Sequence, residues 1–184
     1  MFQIKIVEGH DYSSYFWFHP VKVNLKNKIT DDDVREFREE ISIEEGDVEC
    51  FLAYFFYKYF DENLPYKRNR YDERADDYIR QFEWYLTYNF YTYDTMKKML
   101  SDISQKAVLL AKDYDNPELK DIKKDFSIFY MTQDSDKYIF TKDDSAAIKE
   151  NVNVVIDFYN RFVKRMNKMM EDNPETNLIS IMGP

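Results

Sequence analysis

The residues best suited to chemistry in this chain are few, and their spacing is poor. The only two histidines, His10 and His19, lie nine apart, with Asp11 beside the first. Two imidazoles and a carboxylate could hold zinc or iron. No His-Glu-x-x-His spacing sets them on one helical face, so surface or sheet-packing histidines are the expectation and no metal site is assigned. Asp113-x-Asp115 and Asp134-x-Asp136 begin like calcium loops. Such a loop needs glycine at its sixth position and glutamate at its twelfth. Glu118 and Lys124 stand there in the first case, Ile139 and Ser145 in the second.

Nucleophiles are no better supported. Cys50, the single cysteine, sits in the apolar run Cys50 to Tyr57 and reads as a buried, inert thiol. There is no Gly-x-Ser-x-Gly. The three glycines, Gly9, Gly46 and Gly183, cannot build a phosphate-cradling loop, which needs them clustered. No cofactor is expected. Acids are too many to nominate a catalytic pair. Glu83, between Phe82 and Trp84, is the one in an apolar setting, and alternation turns it toward solvent.

Charge is the stronger signal. The net charge is −9, and it is concentrated. Between Thr30 and Glu49 stand ten acids: Asp31, Asp32, Asp33, Glu36, Glu39, Glu40, Glu44, Glu45, Asp47 and Glu49. Only Arg35 and Arg38 oppose them, leaving −8 in twenty residues. Such a patch repels nucleic acid and anionic membranes and attracts basic partners. Asp31 to Asp33 also have an ordinary role at a helix start, where acids meet the positive end of the dipole. The group Glu44, Glu45, Asp47 and Glu49 has little compensating lysine or arginine nearby and is the better candidate for a functional surface. The opposite charge appears at Tyr66-Lys67-Arg68-Asn69-Arg70-Tyr71, with Arg74 beyond. Asp61, Glu62, Asp72, Glu73, Asp76 and Asp77 flank and cancel it, so a solvated loop is the expectation rather than a nucleic-acid grip.

The elements that must position these residues can be read from hydrophobic periodicity. At 184 residues the chain is expected to form a single domain, residues 1–184. Sixteen Tyr, 15 Phe and two Trp supply enough bulk for a core despite 33% charged residues. Residues 2–7 alternate and read as a strand. Tyr15 to Leu25 reads as extended, with Pro20 breaking it or marking a sheet edge. Thr30 is expected to cap a helix carrying Val34, Phe37 and Ile41, and Gly46 to separate it from a central helix over 48–60. Asn63 to Tyr71 is a loop with Pro65, followed by a short helix at about 72–80. The alternation of Phe82, Trp84, Leu86, Tyr88 and Phe90 predicts a strand over 82–90.

From Tyr93 a long helix runs through Met96, Met99, Leu100, Ile103, Ala107, Leu110 and Ala111. Asp113 to Asn116 stops it, and Pro117 opens a further helical stretch through Phe126, Phe129 and Tyr130. Gln133 to Asp136 is a turn and Lys137 to Phe140 an extended piece. Thr141 is expected to cap the last helix, which runs to about residue 171. Its apolar stripe spans Ile148 to Met170, and its Met166, Met169 and Met170 read as core, with a partner contact as the sharper alternative. Leu178 to Met182 is expected to join the N-terminal sheet.

The resulting expectation is an α+β fold, mainly α. About five helices pack with a small, mostly antiparallel N-terminal sheet. A single cysteine suits a reducing cytosol. No signal peptide and no run of about 20 apolar residues is read, so a cytoplasmic protein is expected. The functional expectation is a non-enzymatic acidic interaction protein engaging a basic protein partner through Asp31, Asp32, Asp33, Glu44, Glu45, Asp47 and Glu49. Bacterial immunity proteins and inhibitor-type nucleic-acid mimics share these traits as a class. The alternative is a small-ligand-binding protein or enzyme with an aromatic-lined pocket built from tyrosines, Trp84 and a histidine.

Overall fold

A computed structural model describes residues 6–8, 15–25, 29, 40–61, 64, 82, 88–126, 128–131, 138–141 and 145–183, and for 6–8, 44–47, 128–131, 138–141 and 145–147 the backbone alone. The fold is α+β and mostly helical. Strands β1 (Ile6–Glu8), β2 (Tyr15–Val21) and β3 (Ile41–Glu44) lead directly into two short helices, α1 (Glu45–Phe51) and α2 (Ala53–Tyr59). Strand β4 (Tyr88–Thr92) continues without a gap into the long helix α3 (Tyr93–Lys112). Two 3₁₀ turns, Pro117–Leu119 and Ile122–Asp125, precede an antiparallel pair, β5 (Ile128–Met131) and β6 (Tyr138–Thr141). Helices α4 (Ser145–Glu150) and α5 (Val152–Asp172) follow, and β7 (Leu178–Met182) ends the described chain of elements.

The main sheet runs β1-β3-β2-β7-β4, antiparallel at every pairing. The expected joining of residues 178–182 to the sheet is therefore real, and β7 is an interior strand. β7 lies between β2 and β4, so the end of the chain stitches the N-terminal strands to the strand that feeds α3. Alternation assigns the faces. Phe16, Phe18, Ile41, Ile43, Ile179, Ile181 and Tyr91 turn to the helices and are buried. Phe18 meets Phe162 of α5 edge-on at 5.4 Å and Phe56 of α2 at 6.0 Å. Helices α3 and α5 pack against each other above this face. On α5 the buried residues Val155, Phe158, Tyr159, Phe162, Met166, Met169 and Met170 follow helical spacing, one stripe along the helix. The methionine end is thus core.

Pro20 neither breaks β2 nor lies at the outer edge of the sheet. The Val21 carbonyl accepts the Asn177 N–H at 2.9 Å, so Val21 faces β7. Pro20, one residue back, turns its missing donor to the β3 side, where pairing ends at Phe18. Beyond Val21 the ladder is continued by a side chain. Asn177 Oδ1 accepts from Val23 N–H at 3.0 Å, and its Nδ2 donates to Val23 C=O at 2.9 Å. One amide side chain thereby imitates a peptide unit.

Several local expectations are corrected. Ile41 belongs to β3 rather than to a helix begun at Thr30, and residues 30–39 lie outside the described ones. Gly46 lies inside α1 and separates nothing. The expected helix over 48–60 is two helices that meet at Leu52. Phe82 is buried but lies outside any strand, the described strand is Tyr88–Thr92, and residues 83–87 of the expected strand over 82–90 lie outside the described ones. Phe129 and Tyr130 lie in β5, and Pro117 opens a 3₁₀ turn, capped by the Asn116 side chain accepting from Glu118 N–H at 2.9 Å. Thr141 ends β6 and so is no helix cap, and the last helix is divided at Asn151. Asparagine forms local bonds that compete with the helix. The expected helix at 72–80 and turn at Gln133–Asp136 fall outside the described residues.

Candidate functional site

The acidic stretch ends on a folded corner. Strand β3 passes into α1 with no intervening loop, and Glu44 closes the strand while Glu45 opens the helix. Asp47 lies in the first turn of α1, and Glu49 is half-buried two residues on. Ile41, Ser42, Ile43, Val48 and Cys50 are buried among these acids. The corner is consequently built on core contacts, which fix the backbone carrying Glu44, Glu45, Asp47 and Glu49. Asp31, Asp32 and Asp33 lie outside the described residues, as do His10, Glu83, Trp84 and the basic-aromatic loop at 66–71. Cys50 is buried, as its place in the apolar run leads one to expect.

A second constellation was not expected. On the sheet face away from the helices, register sets His19 of β2 opposite Ser180 of β7. Glu40, immediately before β3, reaches His19 from the other side, with Oε2 3.6 Å from Nδ1. Carboxylate, imidazole and hydroxyl thus follow one another from the start of β3 across β2 to β7. That order is the one used for acyl transfer, where the acid orients the imidazole and the imidazole takes the hydroxyl proton. The geometry stops short of that chemistry. At 3.6 Å the Oε2–Nδ1 contact is too long for a hydrogen bond. The Ser180 hydroxyl has no hydrogen-bond partner among the described residues and is wholly buried, so no substrate carbon can approach it. Beside this row the same face holds an apolar cluster of Val21, Val23, Ile29, Phe90 and Leu178. Sequence reasoning missed the row because it set Glu40 in a helix. The signal available was the alternation of His19 and Ser180 against the buried Phe18 and Ile181.

The remaining strong polar contacts tie elements together. Lys58 Nζ lies 2.6 Å from Asp102 Oδ2, and Tyr59 donates to the same oxygen at 3.2 Å, which clamps α2 to α3. The hydrogen bond to Asp102 raises the Lys58 pKa, and burial raises that of Tyr59. Lys149 pairs with Asp115 at 2.5 Å and holds its carboxyl below the usual carboxylate range. Two ammonium groups approach the Tyr114 ring, that of Lys123 at 4.5 Å from its centre and that of Lys149 at 5.8 Å. No group of three or more metal-ligating side chains occurs among the described residues. No described helix is long and apolar enough to cross a membrane. No family model, curated protein or solved structure matches the chain.

Proposed function

We propose that this is a non-enzymatic acidic interaction protein, immunity-like or inhibitor-like, whose segment 30–49 engages a basic protein partner in the cytoplasm. The observation that carries the reading is the concentration of −8 in twenty residues of a chain whose net charge is −9. The β3–α1 corner supports it, because acids mounted on packed elements present charge in a defined geometry rather than on a loose tail. Complementary charge speeds encounter and selects the partner, while a few anchors supply most of the affinity. Nucleic acid and anionic membranes carry the wrong sign for this surface. The test is affinity capture from the native host at low and high salt. A basic protein retained at low salt and released at high salt is the expected result. Recovery of no basic protein at low salt would sink the proposal.

A second reading, an enzyme or small-ligand protein, draws on the Glu40–His19–Ser180 row. Burial of Ser180 counts against it. A serine-directed fluorophosphonate separates the two readings: labelling of Ser180 that is lost in His19→Ala would favour the enzyme.

A further inference from the structure

We draw no further inference here: the strongest candidate, the Glu40–His19–Ser180 row on the sheet face away from the helices, carries nothing because Ser180 is wholly buried and nothing in the structure shows what covers that face or opens it to a substrate.

Discussion

The Tyr159 hydroxyl of α5 donates to the Phe51 carbonyl at 2.7 Å, across 108 residues of chain. The reason lies in the division at Leu52. In an unbroken helix the Phe51 carbonyl would accept from Phe55 N–H. Here Phe55 N–H turns to Leu52 C=O at 3.0 Å, and the Phe51 carbonyl in the last turn of α1 takes the Tyr159 hydroxyl. Tyr91 does the same for α2, donating to Phe56 C=O at 2.8 Å. Two buried phenols thus each give a hydrogen bond to one carbonyl in the last turn of a short helix.

Tyr159→Phe is therefore expected to destabilise the protein by about 1–3 kcal/mol, the cost of a buried carbonyl left unpaired. Tyr91→Phe should behave alike. Urea denaturation measures both. A change below about 0.5 kcal/mol in each would show that these bonds do not hold the helix ends.

The same two phenols give a pH dependence. Burial raises the pKa of Tyr91 and of Tyr159 well above the ordinary value of about 10. The folded state then keeps protons that the unfolded chain releases above about pH 10. The stabilisation is complete below that pH and is lost as pH rises toward the folded values. Urea midpoints should fall as pH rises above about 10, and the double Tyr→Phe variant should fall less steeply. Parallel slopes would refute the assignment.

Core packing predicts a larger effect at Phe162, which is buried between Phe18 and Phe158. Phe162→Ala should cost about 3–5 kcal/mol. Met169 and Met170 are buried on the same stripe, so changing both to Gln should lower the melting temperature of the monomer. Unchanged melting with altered self-association would instead place that end at an interface.

Asn177→Ala removes both side-chain bonds to Val23 and should cost about 1–3 kcal/mol. Asn177→Asp keeps the acceptor and loses the donor, which sets a carboxylate against the Val23 carbonyl. It should rescue little. Hydrogen exchange at Val23 reports the loss directly, since its N–H should lose protection in the alanine variant.

Reversing Glu44, Glu45 and Asp47 to Lys should slow association with the basic partner by at least tenfold and leave the fold intact. Charge reversal on a surface that attracts a basic partner acts mainly on the encounter rate. Stopped-flow association at several salt concentrations checks this. The wild-type rate should fall with salt and the variant's should not. Equal rates for the two would overturn the proposed surface.

The long helices were legible because each shows one buried face over many turns. Met96 to Leu110 and Val155 to Met170 repeat at three and four residues, and no other local structure buries that pattern. Strand β7 was legible too, as a short apolar run after a helix stop. Short apolar runs elsewhere were not decisive. Ile41, Phe129 and Tyr130 fit a helical period as extensions of neighbouring stripes, yet they lie in strands, because pairing across the sheet outweighs local preference. The placement of charge is a property of sequence alone, and so is the absence of standard nucleotide and calcium motifs. What only the tertiary structure decided is which distant groups meet. The partners of Phe51, Val23 and Ser180 lie 108, 154 and 161 residues away, respectively, and their bonds or register follow from the order of strands and the packing of α5. No local pattern encodes that order, because it is set by burying every apolar face at once.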